Sequence, residues 1–233
     1  MNISRRKMNQ IGNNVQIDKT CKLGNNITIG NNVTIYPNVT IEDNVYIWDN
    51  CVLGRKPMGV KSNKREIAAG KNTIVKNGSV IGCNVVIYSG ATIGKENILG
   101  DNVIIRENVL FEEGVVIGFN SSIQYNVKVG MGSRILQQSA VSSFTKIGMN
   151  NFISFGFICV SDKSFGKQGY SKDEVYGPVI GDFNNIGPNV TMISNLTVGS
   201  NNIIGAHSLI TKNIGNDGVY YGTPAKYIKA NNQ

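Results

Sequence analysis

An aliphatic residue that recurs every six positions constrains this chain more than any other feature. The series begins Ile17, Leu23, Ile29, Ile35, Ile41, Ile47, Leu53, and two residues before each stands another apolar or small side chain, from Val15 and Cys21 to Val45 and Cys51. The phase is lost from about 54 to 72, returns at Val75, and holds without a slip through Ile81, Ile87 and Ile93 to Ile153 and Cys159. A second interruption spans 161–177, after which Ile180, Ile186, Met192, Val198, Ile204 and Ile210 complete the pattern. A period of six matches neither a 3.6-residue helix nor simple alternation along a long strand. It fits a short strand that ends in a sharp turn, with both residues of each V-x-I pair pointing to one side. Three such strands close a triangular coil, and each coil hydrogen-bonds only to its neighbours. The expected fold is an all-β parallel β-helix of about nine coils over 1–214, with external loops at about 54–72 and 161–177 and a C-terminal tail over 215–233.

The turns explain the composition. Asparagine is abundant and glycine numbers 27 of 233 residues, and both residues tolerate the left-handed backbone of tight turns. The net charge of +8 favours anionic partners. The basic residues do not interleave with aromatics as in a nucleic-acid motif, so phosphorylated small molecules are expected and nucleic acid is not. Cys21, Cys51 and Cys159 occupy apolar repeat positions and Cys83 lies in a turn, with no CxxC pair; structural thiols in a reducing compartment are expected. The opening segment MNISRRKMNQ is charged and no apolar run follows it. No stretch approaches the length of a membrane span. A cytoplasmic protein without membrane insertion is therefore expected.

From Val15 to Lys229 the repeat resembles that of the hexapeptide-repeat acyltransferase family. The left-handed coil is implied by that resemblance, because ordinary parallel crossovers are right-handed. The stretch Ile204-Gly205-Ala206-His207-Ser208-Leu209-Ile210-Thr211-Lys212 is similar to the family's last full coil, and Tyr221-Gly222-Thr223-Pro224-Ala225-Lys226 is similar to its exit. The resemblance implies a homotrimer with an acyl-coenzyme A groove between subunits. Its donor contacts would be Gly187, Gly205, Ala206, His207, Thr211, Lys212, Pro224 and Lys226, with backbone amides at Gly205 and Ala206 holding the pantetheine arm and Lys212 and Lys226 near the phosphates. Scaffold proteins built on the same coil are the non-catalytic alternative.

Four further pieces, in order, resemble the N-acyltransferases of nucleotide-linked amino sugars: Leu53-Gly54-Arg55-Lys56-Pro57, Gly100 to Glu107 (GDNVIIRE), Val160-Ser161-Asp162-Lys163, and Gly177-Pro178-Val179-Ile180. They suggest an acceptor site using Arg55, Lys56, Arg65, Asp101, Arg106, Glu107 and Ser161. The first loop carries Arg55, Lys56, Lys61, Lys64 and Arg65 against Glu66, a set able to hold a nucleoside diphosphate by charge-assisted hydrogen bonds or simply to be solvated. Arg106-Glu107 falls in a turn, where a surface ion pair is the other reading.

Acyl transfer from a thioester needs a nucleophile, a route for its proton and donors for the oxyanion. The chain has one histidine, His207, on the coenzyme side of the resemblance, where packing or a coenzyme contact is the expected role. Several relatives have histidine at the position of Asp101, so no histidine role carries over there. A neutral amine is already nucleophilic, and a carboxylate need only place it and help its proton move. Asp162 is the candidate for that task, with capping of the loop that starts beside it as the other reading; relatives often read Asn where this chain has Ser161. The expected activity is transfer of an acetyl or similar acyl group from acetyl-coenzyme A to the amine of a nucleotide-linked amino-deoxy sugar. The rival enzyme reading is O-acetylation of a sugar or small alcohol with His207 as base. No metal is expected, since a single histidine per chain does not build a multi-histidine site.

Overall fold

The computed structural model describes residues 8–59, 67–164, 167 and 175–232. Two-residue strands stack in three parallel sheets of twelve, ten and nine strands, each sheet taking every third strand in chain order. Partners lie one coil, or 18 residues, apart wherever no loop intervenes, as in Gln10↔Thr28, Thr28↔Tyr46 and Ile104↔Ser122. This is a left-handed β-helix of about eleven turns.

Nine coils were expected, and the difference lies at the ends. Gln10–Ile11 adds a strand before Ile17. Its inward partner position is the polar Asn9, and Ile11 is 51% exposed because no coil lies beneath it. At the other end Ile214 bridges Val198, four residues after Ile210 rather than six. Gly218–Tyr221 then pairs in parallel with Ile203–Ile204, and Lys226–Ala230 folds back antiparallel upon it. Residues 215–233, expected as a tail, thus hold a hairpin that finishes the first sheet.

The core is a single column. Ile29, Ile35, Ile41, Ile47, Leu53 and their successors to Ile210 are buried, with Phe111 and Phe157 as its bulkiest members. Each fully buried aliphatic side chain contributes about 1.5–3 kcal/mol. Three residues after each inward aliphatic the chain turns a corner. From Asn84 to Gly156 every sixth residue, thirteen in succession, has positive φ. Asparagine fills six of these corners and glycine four, because a short amide or a missing side chain tolerates that region. The asparagine amide also bonds along the axis: Asn26 Nδ2 donates to Asn44 Oδ1 (2.7 Å), and Asn84 Nδ2 to Asn102 Oδ1 (3.1 Å).

Both external loops leave from one edge. They follow Val52–Arg55 and Ile158–Cys159 of the second sheet and return as Thr73–Val75 and Val179–Ile180 of the third. Five strand steps separate them, about 24 Å at the usual spacing. The corner between the first and second sheets is called the first edge below, and this loop-bearing corner the second edge.

Candidate active site

The second edge gathers Arg55, Lys56, Arg106, Glu107, Ser161, Asp162, Thr211 and Lys212 from successive coils, since each follows a strand of the second sheet. Near its start, three side chains stack along the axis. The Arg55 guanidinium lies 5.5 Å and the Arg106 guanidinium 4.7 Å from the centroid of the Tyr88 ring, from the coils on either side. Both distances are in cation–π range. Arg106 Nε also donates to Glu107 Oε2 at 2.9 Å. The Glu107 side chain is 2% exposed and that of Arg106 26%, so the carboxylate is buried and the cation partly so.

Beside this stack lies a cleft of about 1000 Å³ bounded by Tyr36, Arg55, Lys56, Pro57, Lys71 and Ser89 among others. Its far wall is pinned to the prism by Asn108, whose Nδ2 donates to Ala68 O (2.7 Å) and whose Oδ1 accepts from Gly70 N (2.6 Å). Arg65, with Lys61, Lys64 and Glu66, lies outside the described residues.

Asp162 stands where the second loop departs, partly buried. Its Oδ1 accepts from Ser164 N at 2.6 Å and Ser164 Oγ at 2.7 Å, so the carboxylate does shape the start of the loop. Three strand steps separate it from Arg106, about 14 Å; within one chain the two are on one edge but not in contact. Lys212, exposed, is two steps further on. The remaining polar part of the second loop, with Gly166, Gly169, Lys172, Asp173 and Glu174, lies outside the described residues.

The other predicted residues collect elsewhere. Asp101, Gly187, Gly205, Ala206 and His207 are on the first edge. Asp101 Oδ1 accepts from the backbone N of Cys83 at 2.7 Å, as Asp43 does for Asn25 and Asp182 for Met149. That recurrence makes it one of a set of turn-bracing groups. His207 occupies a left-handed corner, φ 57°, where the ladder residue one coil earlier is Asn189; the two side chains approach to 3.5 Å. The exit folds over the last strand of the second sheet, with Leu209 N donating to Gly222 O and Ala225 N to Leu209 O. Thr223 Oγ1 donates to His207 O at 3.1 Å. Pro224 and Lys226 are exposed there. The two glycines also have a packing reason: a Cβ on Gly187 would meet Ala206 N at 2.7 Å, and one on Gly205 would meet Tyr221 Cβ at 2.8 Å.

Tyr88 and Ser89 carry no signal of their own in the sequence because Val85–Gly90 is an ordinary hexad. The available signal was spacing: Tyr88 precedes Arg106 by 18 residues, one coil.

Cys51 and Cys159 are buried in the core, and all four thiols are free. Burial pushes the Cys51 thiol up to about 12, and burial raises Cys159 as well. Among the described residues no group of three metal-ligating side chains occurs, and no helix is long and apolar enough to cross a membrane.

The family described as bacterial transferase hexapeptide (six repeats) matches residues 10–42, 20–55 and 177–212. The chain carries that family's repeat over these segments. Similar solved structures include a UDP-N-acetylglucosamine acyltransferase from Campylobacter jejuni, at 16% identity and TM-score 0.46, covering 93% of this chain and 73% of that one. A UDP-N-acetylglucosamine acyltransferase from Bacteroides fragilis shares 23% identity at TM-score 0.45, with the same coverages of 93% and 73%. A hexapeptide-repeat acetyltransferase from Vibrio cholerae shares 17% at TM-score 0.38, covering 60% of this chain and 74% of its own. A common coil accounts for such matches, and no residue role is carried over from them. No curated protein matches the sequence.

Proposed function

We propose that this protein is an acyl-coenzyme A-dependent N-acyltransferase acting on a nucleotide-linked amino-deoxy sugar, with sites between the subunits of a homotrimer. The observation that carries the reading is the second edge. It presents, in order along the axis, a cationic cleft, the Arg55–Tyr88–Arg106 stack with buried Glu107, the carboxylate of Asp162, and Lys212. A phosphate-bearing donor held toward Lys212 would meet the acceptor's amine near Asp162. The amine nitrogen attacks the thioester carbonyl, the C–S bond breaks, and the coenzyme leaves as a thiol while the amide forms. Asp162 accepts a hydrogen bond from the amine and takes up its proton. Backbone N–H groups of the last coils meet the oxyanion, where fixed donors contribute most.

His207, the base that alcohol acylation would require, sits in a left-handed corner beside Asn189 of the turn ladder, which favours the amine acceptor. The family's hexapeptide repeat and the transferases named above support the donor class. The test is thiol release from acetyl-coenzyme A with a panel of nucleotide-linked 3- and 4-amino-dideoxy sugars. Turnover with one member is expected. Turnover only with alcohol acceptors would replace the reading by O-acylation, and absence of coenzyme A binding would replace it by a scaffold.

A further inference from the structure

Among the described residues three buried side-chain polar atoms have no partner, Thr73 Oγ1, Asn97 Nδ2 and Ser89 Oγ, and of these residues Ser89 lines the cleft beneath the first loop. Other buried serines are satisfied: Ser79 Oγ donates to Gly94 O and Ser133 Oγ to Gly148 O, each at 2.7 Å, and Ser139 Oγ to Leu136 O at 2.8 Å. Ser89 is 5% exposed, lines the cleft, and its Oγ has no hydrogen-bond partner among the described residues. A buried hydroxyl left unpaired costs about 1–3 kcal/mol, which a bound ligand would recover.

The walls narrow the ligand's chemistry. Tyr36, 41% exposed, presents an aromatic surface alongside Pro37 and Val52. Arg55, Lys56 and Lys71 supply three cations to the same cleft. The strand register sets Arg55 against Tyr88, and Arg106 reaches the ring from the next coil. Two guanidiniums on one ring repel each other, and an anion bridging toward them relieves that repulsion. The volume, about 1000 Å³, is at the upper end for small-molecule sites.

We propose that this cleft, within a single chain, is a nucleoside diphosphate site: Tyr36 stacks the base, the Ser89 hydroxyl bonds its polar edge, and Arg55, held in place by Tyr88, grips the diphosphate with Lys56 and Lys71. This rests on the reading of the acceptor as nucleotide-linked and assigns which end of it goes where.

Calorimetric titration of the full chain with uridine, thymidine and guanosine diphosphates and with inorganic pyrophosphate tests the assignment. At least one nucleoside diphosphate should bind tenfold or more tighter than pyrophosphate. Ser89→Ala and Tyr36→Ala should each weaken that ligand about five- to tenfold and leave pyrophosphate unchanged, whereas Arg55→Ala should weaken both. Ser89→Ala removes only an unpartnered hydroxyl, so its melting temperature should hold, and this variant decides the matter even if Tyr36→Ala fails to fold. No nucleoside diphosphate binding, binding no tighter than pyrophosphate, or full affinity in Ser89→Ala overturns the site. Binding as described without acylation of any amino sugar would fail the reaction and keep the site; acylation with an unchanged KM in Ser89→Ala would do the reverse.

Discussion

Asp162 braces the start of the second loop and in the proposed reaction also takes the amine's proton, and a single substitution separates the two. In Asp162→Asn the side-chain oxygen still accepts from Ser164 N and Oγ, so the start of the loop and the melting temperature should persist. The charge that would take the amine's proton is gone, and kcat should fall about 10²- to 10⁴-fold; an unchanged kcat would leave Asp162 only its turn. A corner residue offers a separate stability test. Phe183 adopts φ 56° with 52% exposure, at a position where Asn150 precedes it and Asn201 follows in the corner series. Left-handed backbone costs most residues about 1–2 kcal/mol and asparagine less. Phe183→Asn should raise the denaturation midpoint by about 1 kcal/mol, measured by urea unfolding. Cys51 gives the pH dependence. Burial raises its folded value to about 12 from an ordinary 9.0, so the folded state holds the thiol proton that the unfolded chain releases. The stabilisation is complete below about pH 9 and is lost as pH rises from 9 toward 12. Unfolding monitored across that window should show the midpoint falling, and falling less steeply in Cys51→Ala.

At the scale of the coil, the spacing between layers leaves no room for a methyl at certain positions. Gly187→Ala would place its Cβ 2.7 Å from Ala206 N, backbone that two flanking strands hold in register. A loss of about 1–3 kcal/mol is expected, read as a lowered melting temperature in the absence of any coenzyme; an unchanged one would mean that the last coils yield. The same layering decides what was legible in the sequence. Ile29, Ile87 or Ile153 announce their burial because a six-residue phase admits one inward direction. Gln10–Ile11 was hidden because its hexad has only one inward apolar residue, and Gly218–Tyr221 because Ile214 arrives two residues early. The site was legible in part, since Arg55, Arg106 and Asp162 stand at chain interruptions or in motifs. Tyr88 and Ser89 were not, because their significance comes from neighbours one coil above and below. Asp101 illustrates the opposite failure: a motif position whose side chain braces the turn at Cys83.

For the whole molecule, the three faces differ in kind. Outward positions of the second sheet, Val86, Ile104, Ser122, Ala140, Ile158, Thr191 and Leu209, bear no charge, and those of the first include Ile98, Val116 and Phe152, with Arg134 as the one charge before the C-terminal hairpin, which adds Lys226 and Lys229. The third face instead carries Lys22, Lys128 and Lys146. Ile98, Ile104, Phe152 and Ile158 are each 42–47% exposed, an apolar expanse of the sort that marks an interface. Two unlike apolar faces meeting at the first edge suit a closed ring, in which each subunit presents one face to each neighbour. The proposed site between subunits would draw the first edge of one chain, with Gly205, Ala206 and His207, and the second edge of another, with Asp162. Mixed trimers test this directly. Asp162→Asn disables the second edge, and Ala206→Trp, at an exposed corner, obstructs the first. Each variant alone should be inactive. Refolded together in equal amounts they should recover up to about a quarter of wild-type turnover, because a site drawing one edge from each of two subunits is intact when both happen to be sound, a chance of one half for each. If both edges of a site came from one chain, every site would carry a defect and the mixture would stay silent.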